Sequence, residues 1–273
     1  MRRGSSGPRV WLITGASRGI GRALTEAVLA HGASVVAGCR QPDTLARLAE
    51  AHPNRLLPVA LDVTVIPECS AAVDAAVVRF GRVDLLANVV GVGLVSAAEE
   101  TGLDRALALF DVNFWGSVRM IQAALPVMRE QHAGHVIQIS SLSGRVGAAG
   151  VAFYAASKFA VEGFSESLMA ELAPLGIRVT IVEPGGVRTD WAGPSLWSIP
   201  SSPAYEPSVG ATRAILARAH GNQPTAAEDV AAAIVALSRD PKPPRRLAVG
   251  PDARRRIADA LRTDLAELEQ HQH

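Results

Sequence analysis

The chain has 273 residues, 48% of them hydrophobic, and a formal net charge of +1 at pH 7. Its length and apolar content are sufficient for a large core, and one α/β domain over residues 1–273 is expected. The near-zero charge gives no indication of nucleic acid or of an acidic membrane surface as a partner. No stretch of about twenty uninterrupted apolar residues occurs, so no membrane span is expected.

Two features bear on the compartment of the protein. Met1-Arg-Arg3 is followed by Gly-Ser-Ser-Gly rather than by an apolar stretch, which argues against a secretory signal peptide. Cys39 and Cys69 are too few to indicate a disulfide framework or a zinc site, and both are expected to be small buried apolar residues. A reducing, cytoplasmic location is therefore expected.

Short β-like segments alternate with longer helical patterns along the chain. Strands are predicted at 9–13, 34–38, 56–60, 83–88, 134–139, 177–182 and 246–249. Helices are predicted near 20–31, 66–80, 106–131 and 152–174. This alternation predicts a doubly wound α/β domain with a mostly parallel seven-stranded sheet and helices on both faces.

The first strand runs directly into a glycine-rich turn. Thr14-Gly15-Ala16-Ser17-Arg18-Gly19-Ile20-Gly21 separates the apolar segment Val10–Ile13 from a helical pattern, which is the strand–turn–helix context of a dinucleotide-binding loop. Gly15 permits the tight turn, while Gly19 and Gly21 permit the backbone to approach a pyrophosphate at a helix N-terminus. A plain surface turn is the simpler alternative.

The second strand ends in Cys39-Arg40, where folds that bind NAD place a carboxylate on the ribose hydroxyls. No acid stands there, and Arg18 of the glycine-rich turn faces the same region. Two guanidinium groups near one phosphate give charge-assisted and bidentate hydrogen bonds. Either arginine alone would be an ordinary surface residue, but both together predict NADP(H) as the cofactor.

Tyrosine and lysine are rare in this chain, with two of each, yet Tyr154-Ala-Ala-Ser-Lys158 contains one of both. On a helix these two positions share a face, so the ammonium group can lie beside the phenol. A free phenol has a pKa near ~10, and a neighbouring cation lowers that pKa. The pattern predicts an acid–base pair, with a solvent-exposed pair on an ordinary helix as the alternative.

These motifs resemble the short-chain dehydrogenase/reductase family in its short, single-domain form, over about residues 9–249. Three further segments match in the family's order. Ser141 stands at the family's serine-to-tyrosine spacing before Tyr154, and Asn113 in Asp-Val-Asn-Phe matches the asparagine of the catalytic tetrad. Pro184-Gly-Gly-Val-Arg-Thr189 matches the turn whose backbone and threonine hold the nicotinamide amide.

Each of these residues also has a local structural alternative. Ser140 and Ser143 compete with Ser141, and a serine at a strand end commonly bonds nearby backbone. Asn113 could merely bridge a turn, and Thr189 could cap a helix. The agreement of four separated motifs favours the catalytic roles.

The resemblance implies four catalytic residues, namely Asn113, Ser141, Tyr154 and Lys158. The residues that it implies as cofactor contacts are Gly15, Ser17, Arg18, Gly19, Ile20, Gly21, Arg40, Asp62, Val63, Asn88, Tyr154, Lys158, Pro184, Gly185, Val187 and Thr189. Among them, Asp62 and Val63 are expected near the adenine. One motif departs from the family pattern. The family's Asn-Asn-Ala-Gly reads Asn88-Val89-Val90-Gly91 here, which puts the packing beneath the nicotinamide in doubt.

Two segments lie outside the regular alternation. The proline-rich stretch 190–221 corresponds to the family's mobile substrate lobe, which implies that it determines specificity. Residues 251–269 predict an extra amphipathic helix with Ile257, Leu261, Leu265 and Leu268 along one stripe. The apolar helices 106–131 and 152–174 resemble those through which the family forms homodimers and homotetramers, so a homo-oligomer is expected.

The function implied is an NADP(H)-dependent oxidoreductase of the carbonyl reductase or alcohol dehydrogenase type, with Tyr154 as general acid and base. The likeness is greatest to a branch resembling retinol and 17β-hydroxysteroid dehydrogenases, which implies a rather apolar small-molecule ketone, aldehyde or alcohol as substrate. A non-catalytic NADP-binding sensor or scaffold on the same fold is the alternative that Val89 and Val90 favour. A dehydratase or epimerase would need a further acid or base, which the sequence does not identify.

Overall fold

The computed structural model describes residues 8–193 and 195–270. The basic segment Met1–Arg3 and Pro194, both considered above, lie outside the described residues. A seven-stranded sheet with helices on both faces forms the body of the described chain, which confirms the predicted fold class.

Eleven strands occur within the described residues. They are β1 (Val10–Thr14), β2 (Ser34–Cys39), β3 (Leu56–Ala60), β4 (Leu85–Asn88), β5 (Gly93–Val95), β6 (Gly134–Ile139), β7 (Ile177–Pro184), β8 (Val187–Arg188), β9 (Leu196–Ser198), β10 (Thr225–Ala226) and β11 (Arg246–Val249). The main sheet has the order β11-β7-β6-β4-β1-β2-β3, and every pairing in it is parallel. The strand order reverses on either side of β1, and in open sheets of this kind ligands bind in the crevice at that point.

Nine α-helices occur in the same described ranges. They are α1 (Gly19–Ala30), α2 (Ala46–Ala51), α3 (Ile66–Phe80), α4 (Leu103–Phe110), α5 (Gly116–Glu130), α6 (Ala152–Leu172), α7 (Ala211–Ala219), α8 (Ala227–Arg239) and α9 (Pro251–Gln270). α2, α7 and α8 were not predicted from the sequence. The alanine-rich α8 packs against α1 and buries Val230 and Ile234 there.

The sheet separates two hydrophobic cores. Successive side chains of β1 alternate between them: Trp11 and Ile13 lie in the core shared with α1 and α8, whereas Leu12 lies in the core shared with α3, α5 and α6. This alternation is the period-2 rule of a strand covered on both faces, and it explains why the strand reads as a continuous apolar run.

The helix predicted at 106–131 is in fact divided. A π-helical turn, Asp111–Trp115, separates α4 from α5. Such turns insert one residue into the helical register, commonly at functional sites. Here the turn directs Asn113 into the interior, where the side chain is buried. Periodicity alone does not reveal it because apolar residues continue on both sides.

Two short parallel ladders lie at the proline-rich stretch. β9 within the stretch pairs with β5 of the body, whereas β8 and β10, which flank the stretch, pair with each other. At the C-terminus the predicted helix is present as α9, but its apolar stripe is not uniformly buried. Ile257 packs beside Leu142, whereas Leu261, Leu265 and Leu268 are exposed.

Candidate active site

The turn after β1 permits close approach of its backbone to a ligand. Gly15 and Gly19 have φ angles of +69° and +52°, which L side chains rarely adopt. A Cβ at Gly21 would lie 2.2 Å from the carbonyl oxygen of Gly15, so a side chain is excluded there. α1 begins at Gly19 with no side-chain cap from Arg18. Its first N–H groups therefore fit the pyrophosphate of a dinucleotide.

Val89 and Val90, which depart from the family pattern, lie beside this turn. Thr14 Oγ1 accepts hydrogen bonds from the N–H groups of Val89 (2.9 Å) and Val90 (3.3 Å). A Cβ added at Gly15 would lie 3.2 Å from Cγ2 of Val90, so the valine side chain packs directly against the glycine turn. The backbone arrangement thus tolerates both valines.

Three of the predicted cofactor residues also have structural contacts. The Asn88 amide donates to Oε1 of Gln138 (2.7 Å), which joins β4 to β6. Asp62 Oδ1 accepts hydrogen bonds from the backbone N–H (2.9 Å) and the hydroxyl (2.7 Å) of Thr64. Val63 is buried in the core with α3 and α5.

The end of β2 lies against the glycine turn. The Ala16 N–H donates to the carbonyl oxygen of Gly38 at 3.1 Å, which brings the two segments together. Cys39 is buried, whereas Arg18 and Arg40 are both exposed. Two cations and no acid at this pair of segments match the charge pattern derived from the sequence.

Tyr154 and Lys158 lie on the inner face of α6 and are only 7% and 4% exposed, which excludes the solvent-exposed alternative. The Ser141 side chain interacts with the Tyr154 phenol in the direction that favours the phenolate. Ser141 Oγ also accepts from the N–H of Ser143 at 3.1 Å, so it caps a short turn as well. Lys158 Nζ donates to the carbonyl oxygen of Ile139 at 2.9 Å.

Burial dominates the acidity of both side chains. Burial raises the pKa of Tyr154 to about 12, against the interaction with Ser141. Burial lowers the pKa of Lys158 to about 8, against the attraction of Glu162. Lys158 is not among the causes of the tyrosine shift, so the lowering of the tyrosine pKa by Lys158 stays a prediction.

The side-chain amide of Asn113, in the π-helical turn, is hydrogen-bonded through both its oxygen and its nitrogen. Its Oδ1 accepts from the N–H of Val92 (2.8 Å), and its Nδ2 donates to the carbonyl of Val92 (2.9 Å) and to Ser157 Oγ (3.1 Å). A Cβ at Gly91 would lie 3.5 Å from both Asn113 Oδ1 and Lys158 Nζ. The two side chains therefore approach the same point of the loop after β4.

The turn predicted to hold the nicotinamide amide follows β7. Pro184 ends the strand, and the Gly185 N–H donates to the carbonyl of Val249 at 3.0 Å. Val187 begins β8. Thr189 caps the next short turn through its Oγ1, and a Cβ at Gly19 would lie 3.2 Å from its methyl group. The turn thus reaches the glycine loop across the crevice.

Tyr154 belongs to an apolar cluster whose other members were not identified from sequence. The buried ones are Leu94, Val95, Ala97, Leu109, Val151 and Val209, and the partly buried ones are Val92, Phe153, Trp191, Leu196, Trp197, Ile199, Tyr205 and Leu216. Most come from the stretch 190–221 and from the loop after β4, far from Tyr154 in sequence. The two tryptophans within the proline-rich stretch are the sequence feature that could have indicated this cluster.

A buried ionic cluster behind Lys158 was also missed. Arg246 Nε lies 3.0 Å from Glu162 Oε2 and 3.6 Å from Glu183 Oε1, and Arg145 Nη1 lies 2.9 Å from Glu183 Oε1. Burial raises the pKa of the Glu162 carboxyl, and the ion pair with Arg246 opposes this. The cluster ties α6, one turn beyond Lys158, to β7 and β11.

Within residues 8–193 and 195–270, no three His, Cys, Asp or Glu side chains are grouped in a way that could hold a metal ion. No helix there combines the length and apolarity needed to cross a bilayer.

Comparison with known proteins places the chain in a family. Residues 9–196 match the family model of the short chain dehydrogenases. The chain is 41% identical to the oxidoreductase BOA17 of Botryotinia fuckeliana, over 90% of each protein. It is 36% identical to retinol dehydrogenase 8 of Bos taurus, over 88% of this chain and 80% of that protein. The protein belongs to the short-chain dehydrogenase/reductase family and is an oxidoreductase.

Solved structures agree with this assignment. A short-chain dehydrogenase from Streptomyces avermitilis superposes with a TM-score of 0.90 at 39% identity, covering 97% of this chain and 96% of that one. A family member from Burkholderia phymatum in complex with NAD gives 0.82 at 26% identity, covering 96% and 95%. One from Burkholderia cenocepacia in complex with NADP gives 0.75 at 27% identity, covering 97% of both chains. A nicotinamide cofactor is therefore supported, of either type.

Proposed function

We propose that this protein is an NADP(H)-dependent oxidoreductase that interconverts an apolar ketone or aldehyde and the corresponding alcohol. The observation that carries the proposal is the buried contact of Ser141 with Tyr154, one helical turn from Lys158. These side chains supply a proton donor, a hydroxyl group that can hold a carbonyl oxygen, and a cation. They lie across the crevice from a glycine turn that fits a dinucleotide.

Each side chain has one task in this scheme. When bound, the nicotinamide supplies or accepts the hydride. Tyr154 donates a proton to the carbonyl oxygen during reduction and removes it during oxidation, while Ser141 holds that oxygen. Lys158 binds the ribose and lowers the tyrosine pKa once its ammonium group faces the phenol. Asn113 positions a water molecule that connects Lys158 to solvent.

The choice of NADP(H) over NAD(H) rests on charge. Arg18 and Arg40 are exposed at adjoining segments, and the buried thiol of Cys39 stands where a carboxylate would favour NAD. The 2′-phosphate of NADP carries up to two negative charges, and guanidinium groups pair with phosphate oxygens through charge-assisted hydrogen bonds. The solved relatives with a bound cofactor include one with NAD and one with NADP, so the preference for NADP(H) is argued from the local charges.

The apolar character of the substrate rests on the surroundings of Tyr154. Leu94, Val151, Val209 and the neighbouring aromatic rings leave few polar partners for a substrate beyond the carbonyl group itself. Burial of apolar surface is then the main source of binding energy. The matched relative retinol dehydrogenase 8 carries the name of an apolar alcohol as its substrate, which supports the same class.

A panel assay tests the proposal directly. The protein is incubated with NADPH or NADH and a series of ketones and aldehydes of increasing apolar size, and the loss of reduced cofactor is followed by absorbance. We expect oxidation of NADPH with apolar ketones and little with NADH. Tight NADPH binding with no oxidation across the panel would contradict the proposal and favour a sensor or scaffold.

We also propose a homo-oligomer and a cytoplasmic location. Leu107 of α4 and Trp115 of the π-helical turn line an open surface groove, and both are exposed. Apolar surface of this kind is typical of an interface between subunits. Cys39 and Cys69 are both buried free thiols, as expected of a protein in a reducing compartment.

A further inference from the structure

The indole ring of Trp191 covers the catalytic tyrosine. Trp191 lies in the short turn Asp190–Ala192, directly after Thr189. Its ring centroid is 5.1 Å from that of Tyr154, at an interplanar angle of 54°. Tyr154 is 7% exposed in this arrangement. A substrate carbonyl must reach the phenol oxygen, and the indole narrows the approach to it.

Gly93 leaves the space that the indole occupies. A Cβ at this position would lie 2.6 Å from Cζ2 of Trp191 and 2.7 Å from Cδ1 of Leu196. The φ angle of Gly93 is not positive, so the backbone conformation does not itself require glycine. The requirement is steric: a methyl group would push the ring out of its position. Gly93 and Trp191 thus form a matched pair.

The attachment of Trp191 is light compared with that of Tyr154. Tyr154 belongs to the 21-residue helix α6, which packs on the sheet. The turn that carries Trp191 has three residues, and its hydrogen bonds stay within the loop. They run from the Trp191 N–H to Thr189 Oγ1 at 3.2 Å and from the Gly193 and Ser195 N–H groups to the Asp190 carbonyl at 3.1 and 3.3 Å. Beyond it, the stretch contacts the body through the three-residue ladder of β9 and β5 and a hydrogen bond from the Ser202 N–H to Glu100 Oε1 at 2.9 Å. The indole can therefore move without disturbing the sheet.

Apolar side chains would remain around the vacated space. Leu94, Val151 and Val209 are buried in the same cluster as Tyr154, and Trp197 packs at its edge. When the indole leaves, an apolar substituent of the substrate can recover the lost burial, whereas a small polar substituent cannot. Displacement of the ring therefore selects for substrate size and polarity.

We propose that Trp191 is a specificity-determining gate that rests on Tyr154 without substrate and is displaced by an apolar group next to the reacting carbonyl. The gate rests on the proposed function, because it assumes that a carbonyl compound reacts at Tyr154. Displacing the indole costs binding free energy. A small substrate recovers little of that cost, whereas a large apolar ketone recovers it by burying its own apolar surface. The wild-type protein therefore favours the large apolar ketone over the small one.

The covering of Tyr154 can be measured without any turnover. Only two tyrosines occur, so Tyr205→Phe leaves Tyr154 as the one phenol whose ionisation changes near-ultraviolet absorbance. In this background we expect Tyr154 to stay protonated until the protein unfolds in alkali, as circular dichroism will report. Trp191→Ala and Gly93→Ala should each expose the phenol and lower its pKa from about 12 toward the free value of ~10. Trp115→Ala, which removes an exposed indole outside the apolar cluster of Tyr154, is the control and should leave the titration unchanged.

Kinetics with a small and a large apolar ketone test the selectivity. Trp191→Ala should raise kcat/KM for the small ketone relative to the large one by at least ~10-fold, because the cost of displacement is gone. An unchanged tyrosine titration in Trp191→Ala, or an unchanged ratio of the two kcat/KM values, would overturn the gate. Absence of turnover in wild-type protein with every ketone would instead refute the proposed function, while the titration would still report the covering of Tyr154.

Discussion

The proposed preference for NADP(H) rests on three side chains, Arg18, Cys39 and Arg40. The backbone bond from Ala16 to Gly38 joins the segments that carry them, and no carboxylate stands at the last residue of β2. Arg40 also attracts the carboxylate of Asp62. Salt should weaken this preference, because part of the discrimination is Coulombic between exposed groups.

The double variant Cys39→Asp with Arg40→Ala should reverse the preference. The new carboxylate repels the 2′-phosphate and accepts hydrogen bonds from a free ribose, while the loss of Arg40 removes a charge-assisted hydrogen bond. We expect NADPH affinity to fall about ten- to a hundredfold and NADH affinity to rise. Titration of each cofactor by intrinsic fluorescence provides the measurement.

Arg47→Ala is the matched control for that experiment. Arg47 is an exposed arginine on α2, away from the glycine turn, and its removal changes the net charge by the same amount as the loss of Arg40. Cofactor affinities of this control should equal those of the wild type. A double variant with unaltered preference would show that neither Arg40 nor the residue at 39 contacts the phosphate.

Apolar side chains of α4 and of the π-helical turn form an exposed face. Leu103 and Leu107 are 69% and 58% exposed, and Trp115 is 51% exposed. Side chains of this size lose apolar hydration when they pack against a second copy. The same segment presents Asn113 to the interior, opposite the face proposed to contact a second copy.

Charge placed on this face should dissociate the oligomer. We expect the variant Leu107→Glu with Trp115→Glu to be monomeric at micromolar concentration while the wild type is a dimer or tetramer, as measured by light scattering. Like charges brought together in a self-complementary interface repel each other, and they also lose solvation. Val78→Glu is the control, since Val78 is 87% exposed on α3 and should leave assembly unchanged. A monomeric wild type, or an oligomeric double variant, would contradict the proposed interface.

For the whole molecule, stability toward acid depends in part on one buried histidine. His135 of β6 is 1% exposed, and one ring nitrogen hydrogen-bonds Thr180 Oγ1 at 2.9 Å. Burial lowers its pKa to about 3, and the positive charges of Arg178 and Arg9 act in the same direction. The folded state thus keeps this ring neutral, whereas the unfolded chain protonates it near pH ~6.5.

The stability of the fold should therefore fall as pH drops from ~6.5 toward 3. Over that interval the unfolded state binds one more proton at this site, which reduces the free energy of unfolding by about 1.4 kcal/mol per pH unit. His135→Gln should remove this contribution, so its unfolding free energy should depend less steeply on pH even if it is lower overall. Urea unfolding of both proteins at several pH values measures the two slopes. Parallel slopes would show that His135 is protonated equally in both states.

The seven strands of the main sheet and the order of the motifs could be predicted from sequence because each depends on local chemistry, whereas β5, β8, β9 and β10 were not predicted. A strand covered on both faces, such as β1, is a short apolar run, and the glycine turn is defined by positions that exclude a Cβ. The fold class followed from the alternation of such segments, and the structure confirms it. The family assignment is confirmed as well, by the matched family model and relatives.

The remaining features depend on contacts between segments distant in sequence. The π-helical turn before α5 shows no break in periodicity, and the contact of Trp191 with Tyr154 joins residues on separate elements. Desolvation of Tyr154 likewise follows from the surrounding chain rather than from its neighbour Lys158. A sequence motif could therefore identify the phenol, but its acidity could not be derived from the motif.

The variant Tyr154→Phe tests most directly whether Tyr154 transfers the proton to and from the substrate oxygen. The substitution removes only the phenol oxygen and keeps the ring that packs against Trp191. NADPH affinity, measured by fluorescence titration, should remain within about twofold of the wild type. Turnover of an apolar ketone with NADPH should fall by at least ~10²-fold, the usual scale of general acid–base catalysis. Wild-type turnover in a clean preparation of this variant would contradict the account.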